Sequence, residues 1–303
     1  MENIIETRKL VKRFGNFTAV NSVSLSVKKG EIYGFLGLNG AGKTTTIRML
    51  LGLIRPSSGY ACISKTKVHA GNRTLWNKVG YLVEIPFSYP DLSVKDNLDI
   101  IRRLRYIDDY KVVERVMEKL QIAQYRDIKA KNLSSGNAQR LGLAKAVIHN
   151  PEILILDEPA NGLDPSGIVE IRELLHSLAH SRGVTVFVSS HILGEISKFA
   201  TRIGIIHEGR LIQELNIGQL ESYRKRRVLI DTYDKKGACS FLENKGYAVH
   251  NGDNGLLELT GKDSIAHPEK INILLVQNGY PPTMLRVEEE DLETYFLRLI
   301  RKN

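Results

Sequence analysis

The segment Gly37-Leu38-Asn39-Gly40-Ala41-Gly42-Lys43-Thr44 constrains this chain more than any other, because it spells G-x-x-x-x-G-K-[ST], a loop that wraps phosphate. Its context fits. Residues 31–36, apolar after Glu31, predict a buried strand, and residues 45–51 have the spacing of a helix with one apolar face. Glycines let backbone N–H groups converge on phosphate oxygens with no Cβ in the way. The start of the following helix adds partial positive charge. Gly37, Asn39, Gly40, Ala41, Gly42, Lys43, Thr44 and Thr45 are therefore expected to cradle a nucleoside triphosphate. In such a loop the lysine reaches the terminal phosphates, so Lys43 acts on the reacting group, and the Thr44 hydroxyl is a ligand for Mg2+.

Two later segments add hydrolytic chemistry. Residues 153–156 are Ile-Leu-Ile-Leu and run directly into Asp157 and Glu158, which predicts a buried strand whose C-terminal end meets the ligand. Asp157 is expected to hold Mg2+, directly or through water, and Glu158 to polarise the attacking water. A buried strand ending in an acidic turn is common by itself; pairing with the phosphate loop gives these acids a role. Residues 186–190 form another strand, ending on His191. Parallel strands bring their ends to one edge, where His191 can contact the γ-phosphate or the water.

Composition sets limits rather than a function. At 303 residues, 42% hydrophobic and 25% charged, the chain can bury a core and is long enough for two domains. No run of about 18 apolar residues is present, so the chain is not expected to span a membrane by itself. Its start, from Met1 to Glu6, lacks the basic and apolar regions of a signal peptide. Cys62 and Cys239 lie far apart and outside any metal-ligand spacing, as in a cytosolic protein with reduced thiols. The net charge of +9 invites nucleic acid or an anionic surface, but residues 221–303 are balanced and the excess in 1–220 is spread out. Only Arg224-Lys225-Arg226-Arg227 is dense, and it reads equally as a solvated linker or a lipid head-group contact.

Leu133-Ser134-Ser135-Gly136-Asn137-Ala138-Gln139, followed by a helix Arg140-Leu141-Gly142-Leu143-Ala144-Lys145-Ala146-Val147, resembles the signature of ABC-type ATPases, usually L-S-G-G-Q ahead of a helix rich in Arg, Leu and Ala. The resemblance covers about residues 3–220 in unbroken order. It takes in the phosphate loop, the signature, Asp157-Glu158, the turn Asn161-Gly162-Leu163-Asp164 and His191. It implies ATP with Mg2+ and an α/β fold: a P-loop NTPase cassette with a mixed, largely parallel core sheet, an N-terminal antiparallel β region and a helical subdomain. It also implies that Ser134 and the Gly136 N–H act in trans, donating to the γ-phosphate of ATP held by a facing subunit. Two cassettes, most simply two copies of this chain, would then close two sites head to tail, with Asp164 along the seam. Phe14 takes the place of the tyrosine that stacks on adenine in the family; from its residue type alone it reads equally as core packing.

Three positions depart from the family pattern. Ser135 and Asn137 replace a glycine and a glutamine, and Glu84 stands where glutamine is usual. A carboxylate at 84 is able to approach Mg2+ and the attacking water, although the position also reads as a surface glutamate in a loop. Glu84 and the following Ile85-Pro86-Phe87-Ser88-Tyr89-Pro90 resemble exporters that protect bacteria from lantibiotics and bacitracin-like peptides. In that branch the segment after position 84 touches separate polytopic permease subunits, which places the cassette peripherally on the cytoplasmic face of the cell membrane. The alternative is a soluble ABC-type ATPase working on ribosomes or nucleic acid. Against it, 43 to 134 leaves no room for a long coiled-coil insertion, and the cassette occurs once without internal repeat; no nucleic-acid partner is expected.

The remaining patterns organise the chain. Strands are expected at 3–10 and 20–28, helices at 94–107 and 112–120 within a helical region at about 90–150, and a closing hairpin at 203–212. The cassette is placed at 1–220 and a small α+β C-terminal domain at 228–303. That domain is expected as strand 228–232, helix 236–245, strands 247–250 and 256–260, helix 263–278, strand 283–287 and helix 291–301. Glu288-Glu289-Glu290 reads as acids favoured at the start of the last helix rather than as a metal or catalytic cluster.

Overall fold

The computed structural model describes residues 2–84, 86–252 and 255–302. Met1, Ile85 and Asn303, which fall within sequence expectations above, lie outside the described residues. The chain divides into two compact units, Met1–Gly218 and Gln219–Asn303.

In chain order the first unit runs β1 (Asn3–Phe14), β2 (Phe17–Val23), β3 (Ser26–Lys28), β4 (Ile32–Leu36), α1 (Lys43–Leu50), β5 (Ser58–Ile63), β6 (Thr66–Lys67) and α2 (Arg73–Trp76). It continues with β7 (Val79–Leu82), α3 (Val94–Leu104), α4 (Lys111–Lys119), α5 (Ser135–Val147), β8 (Ile153–Leu156), α6 (Pro165–Arg182), β9 (Thr185–Ser190), α7 (Leu193–Ile196), β10 (Arg202–His207) and β11 (Arg210–Asn216). β1, β2, β3, β5 and β6 form an antiparallel sheet. β1 runs past residue 10 to Phe14 because its far half pairs with β2 across the tight turn at Gly15-Asn16.

The core sheet has the order β11-β10-β4-β9-β8-β7. Every neighbouring pair is parallel except the closing hairpin β10–β11. β4, β8 and β9 are buried along their whole length, the pattern of parallel strands covered on both faces. Tyr33, Phe35 and Phe187 stack through the middle, with ring centroids 5.5 and 5.3 Å apart. This sheet is what aims the chemistry: the loops leaving β4, β8 and β9 carry the phosphate loop, Asp157-Glu158 and His191 respectively, all at one edge.

Local signals fix the helices around it. A reciprocal cap between Ser93 and Asp96 starts α3. Asp164 caps α6, Pro165 opens it, and Gly183 in a left-handed conformation ends it. α5 lies close on β7, where a Cβ on Gly80 would run into the Ala146 carbonyl. Just beyond α5, His149 turns its Nε2 to Val79 O at 3.2 Å, while its buried Nδ1 has no hydrogen-bond partner among the described residues.

The second unit runs α8 (Ile217–Tyr223, spanning the division), β12 (Arg226–Thr232), α9 (Lys235–Asn244), β13 (Val249–Asn251), β14 (Leu257–Leu259), α10 (Lys262–Ala266), α11 (Pro268–Gln277), β15 (Pro282–Glu289) and α12 (Leu292–Lys302). Its antiparallel sheet has the order β13-β14-β12-β15, a split β-α-β-β-α-β arrangement. Val228, Ile230, Ala238, Leu242, Leu257, Ile271 and Leu275 make its core. The single helix expected over 263–278 is broken ahead of Pro268, whose ring cannot continue a preceding helix.

Two charge runs are corrected here. Arg226 and Arg227 are not linker but the start of β12, and Glu288 and Glu289 belong to β15 rather than to a helix start. The two runs face each other across the sheet: Arg224 and Arg226 reach Glu289 at 2.8 and 3.1 Å, and Arg227 reaches Glu288 and Glu258 at 2.7 Å each. Glu290 is held by Arg298 at 2.7 Å, and Asp291 supplies the last helix with its first-turn bond, to the Thr294 N–H. The basic run is thus largely neutralised within its own unit. No helix among the described residues is long and apolar enough to cross a membrane.

His149 makes the first unit sensitive to acid. Burial, then the nearby Arg105, push its imidazole down to about 4. An unfolded imidazole titrates near ~6.5, so below that pH the unfolded chain takes up a proton the folded one excludes. Stability should therefore fall between about pH 6.5 and 4 by up to about 3 kcal/mol from this group, with no contribution to the slope above it. Urea unfolding followed by the single tryptophan, Trp76, should show the loss in the parent protein and a flatter profile in His149→Gln; equal slopes would refute the assignment.

Candidate active site

The phosphate loop spans the end of β4 to the start of α1. Gly42 sits immediately before α1 at φ +103°, and a Cβ there would stand 2.5 Å from Ala19 O, so only glycine fits. Asn39 and Gly40 are exposed at the tip, Gly37 and Ala41 are buried at its base, and Thr44 and Thr45 are half-buried at the helix start. The Gly37 N–H donates to Ser190 O at 3.2 Å, which fastens the loop to the end of β9. Lys43 is 6% exposed. Its ammonium donates to Gly37 O at 2.7 Å and Leu38 O at 3.2 Å, and lies 3.1 Å from Glu158 Oε1.

The acids and the histidine converge on that loop. Thr44 Oγ1 donates to Asp157 Oδ2 at 2.6 Å. Glu158 Oε2 is 2.9 Å from His191 Nδ1. Its other oxygen, Oε1, is buried and accepts no hydrogen bond of good geometry from the described residues despite the charge of Lys43 beside it. Lys43, Thr44, Asp157, Glu158 and His191 are therefore one contiguous cluster drawn from three strand ends.

Two residues that sequence reasoning missed hold this cluster in place. Ser189, fully buried, donates to Asp157 Oδ1 at 2.5 Å and accepts from the Glu158 N–H at 3.0 Å. Gln139, from the signature helix α5, donates to Glu158 O at 3.2 Å. Glu158 has φ +49°, a left-handed conformation costly for a residue with a side chain. Its N–H is tied to Ser189, and its carbonyl accepts from Gln139 and from the Asn161 N–H at 3.1 Å, which together hold the strained residue in position. The sequence did carry one signal for Ser189: a polar residue placed inside the fully buried β9, in the position following Val188, which pairs with Leu156 just before Asp157.

The other expected site residues lie apart from this cluster. Ser134 is the exposed N-cap of α5, its hydroxyl accepting from the Asn137 N–H at 3.3 Å. Gly136 faces the turn after Glu158, where a Cβ would stand 3.1 Å from Gly162 O. Asp164 caps α6 through the Gly167 N–H at 3.0 Å, and the Ser166 hydroxyl with that N–H holds its carboxyl below the usual range. Phe14 is 50% exposed at the hairpin end, with the Lys12 ammonium 5.0 Å from its ring centroid, so core packing is not its role. Glu84, at φ +54°, pairs with Arg48 at 2.6 Å rather than with Thr44 or Asp157.

Residues present fit a magnesium nucleotide: a glycine-bounded cradle, a hydroxyl and carboxylate in contact, and a buried ammonium beside an incompletely satisfied carboxylate. This combination is that of a P-loop ATPase, and the comparisons with known proteins give its type. The chain belongs to the ATP-binding subunits of ABC transporters, and it is an ATPase. The family model described as ABC transporter matches residues 20–161. The bacitracin transport ATP-binding protein BcrA of Bacillus licheniformis is 39% identical, over 99% of this chain and 98% of that protein. The protein of the same name in Enterococcus faecalis is 40% identical, over 99% of this chain and 97% of its own length. The lantibiotic transport ATP-binding protein SrtF of Streptococcus pyogenes is 36% identical, over 70% of this chain and 90% of that protein. Among solved structures, a dimeric bacterial ABC transporter cassette is 26% identical with a TM-score of 0.65, covering 71% of this chain and 99% of that one.

Ser189 should matter for turnover although it touches no substrate. Ser189→Ala leaves Asp157 Oδ1 and the Glu158 N–H short of a partner, and such supporting contacts around a metal site are worth roughly 10–100-fold in affinity or activity. The expected outcome is a loss of that size in kcat, or in the Mg2+ concentration dependence of ATP hydrolysis, with partial recovery in Ser189→Thr. Unchanged kinetics over a full Mg2+ titration would show that the two hydrogen bonds are incidental.

Proposed function

We propose that this chain powers an ABC exporter for an antimicrobial peptide of the bacitracin or lantibiotic kind, working as a head-to-tail dimer on separate polytopic permease subunits at the cytoplasmic face of the cell membrane. The observation that carries the hydrolytic part is the Glu158 carboxylate poised between Lys43 and His191, 3.1 and 2.9 Å away. Substrate class and membrane partner are carried by likeness to the bacitracin and lantibiotic transport proteins, which for the BcrA proteins extends through the C-terminal unit.

In this reading the phosphate loop N–H groups and Lys43 bind the phosphates, and Thr44 with Asp157 would hold Mg2+. Mg2+, when bound, neutralises phosphate charge. Glu158 accepts a proton from the attacking water, and His191 orients that carboxylate through Nδ1 while facing the γ-phosphate. Phe14, exposed at its hairpin, stacks on adenine. Ser134 and the Gly136 N–H, at a helix start, complete the site of a facing copy. Glu84, paired with Arg48 at 2.6 Å, would join the residues that hold Mg2+.

The membrane partner docks on a groove of about 500 Å3 lined by Arg48, Tyr81, Glu84, Phe87, Leu104 and Lys145. Phe87 and Leu104 are 76% and 66% exposed there, an apolar surface that a cytoplasmic segment of a permease would cover.

Glu158→Gln is expected to keep ATP binding, remove most turnover and trap an ATP-bound dimer visible by size exclusion. Unchanged steady-state hydrolysis would sink the role of Glu158. For the partner, affinity capture of the tagged chain from detergent-solubilised membranes should recover a polytopic protein of about six spans. Recovery of ribosomes or nucleic acid with no membrane protein would instead place the ATPase with relatives that act away from membranes.

A further inference from the structure

We propose that Lys145 and Asn97 form a strap that makes the exposed Phe87–Tyr89 segment move with the signature helix, so that closure of the nucleotide site is delivered to the docking groove. This rests on the groove being the partner surface proposed above, and it assigns residues that the ATPase chemistry does not use.

Lys145 lies in the last turn of α5, at the opposite end of the helix from its N-cap Ser134. Its ammonium donates to Phe87 O at 2.9 Å, Ser88 Oγ at 2.7 Å and Asn97 Oδ1 at 3.2 Å. An ammonium has three N–H donors, and here three acceptors meet them. No carboxylate is among its partners within the described residues. Burial pushes the ammonium down to about 8, so the group is held in a partly desolvated place for its hydrogen bonds rather than for an ion pair.

Asn97, 1% exposed on α3, fastens the other half of the segment. The two N–H groups of its Nδ2 are shared among Tyr89 O at 3.1 Å, Leu92 O at 3.3 Å and Ser93 O at 2.9 Å, and its Oδ1 accepts from the Tyr89 N–H at 2.8 Å. Together the two side chains bind the backbone of Phe87, Tyr89, Leu92 and Ser93 to α3 and α5. The aromatic rings stay outside: Phe87 and Tyr89 are 76% and 45% exposed and pack edge to face at 5.5 Å. A loop with rings in solvent and its carbonyls tied to two helices is a rigid pointer. Nearer its start, α5 carries Gln139, which donates to Glu158 O. One helix thus touches the catalytic turn with Gln139 and the pointer with Lys145, six residues on.

The test uses the full-length chain and chymotrypsin. Phe87 offers a cleavable bond before Ser88, Tyr89 is shielded by the following Pro90, and Tyr106, 92% exposed, serves as an internal reference. Without nucleotide, Lys145→Met should raise cutting after Phe87 relative to Tyr106 by at least about tenfold, and Lys145→Arg should stay near the parent. Equal relative rates in parent and a cooperatively melting Lys145→Met would overturn the strap. If that variant does not fold, Ser88→Ala decides in its place: about threefold faster cutting supports the strap and no change overturns it.

The second arm adds MgATP in the Glu158→Gln background, with size exclusion to score dimer. With the strap intact, dimer formation should change the Phe87 rate by at least about threefold; in the Lys145→Met form the dimer should appear with little change. A dimer with the same Phe87 response in both forms would overturn the transmission. Failure to form any dimer would count against the proposed dimeric ATPase, while the nucleotide-free arm would still decide the strap.

Discussion

A short hydrogen-bonded chain holds the site together: Thr44 to Asp157, Asp157 to Ser189, and Ser189 to the N–H of Glu158. It joins the start of α1, the turn after β8 and the end of β9, segments far apart in sequence, through side chains that are buried or partly so. In a low-dielectric place such bonds gain strength and any unpaired member becomes costly, so the chain is stable only as a whole. The parallel sheet makes it possible. β4, β8 and β9 lie side by side in one direction, and the residues that leave their ends have no alternative but to meet.

The same logic of complete pairing governs the C-terminal unit, with charges instead of hydroxyls. Arg224, Arg226 and Arg227 enter or precede the central strand, and Glu258, Glu288 and Glu289 flank it on both neighbours. Each bridge on a partly exposed surface contributes little by itself, roughly 0–1 kcal/mol. Their arrangement matters more than any one of them: Arg226 lies opposite Glu289 and Arg227 opposite Glu288, one pair on each face of the sheet. Fixing pairing geometry is a better account of this run than attraction to lipid.

Much of this could be read from sequence, and what escaped did so for one reason. The phosphate loop, the acidic strand end and the signature helix are contiguous motifs, and local pattern reveals them. The order of elements in the C-terminal unit followed from hydrophobic period alone, apart from the break at Pro268. Ser189 and Gln139 escaped because their partners are 32 and 19 residues distant, and only the sheet register and the placement of α5 bring them to the Asp157-Glu158 turn. The arginine and glutamate runs were each legible, yet their partnership was not, since it spans about sixty residues of chain. Phe14 needed its exposure, which no residue type can report.

Glu84 shows how an unusual residue can coexist with the expected reaction. Its pair with Arg48 is half exposed on both sides, 51% and 39%, so it contributes at most about 1 kcal/mol and serves mainly to orient the carboxylate. A glutamine there would lack the ion pair and would be free of Arg48 from the start. The carboxylate instead has a resting partner on α1, the helix that begins with Lys43 and Thr44. In the proposed function Glu84 would be among the residues able to hold Mg2+, and a pair this exposed would be readily given up. Arg48 and Glu84 both line the proposed docking groove, so a membrane partner seated there would meet this ion pair directly, and its charge balance is part of the surface the partner must match.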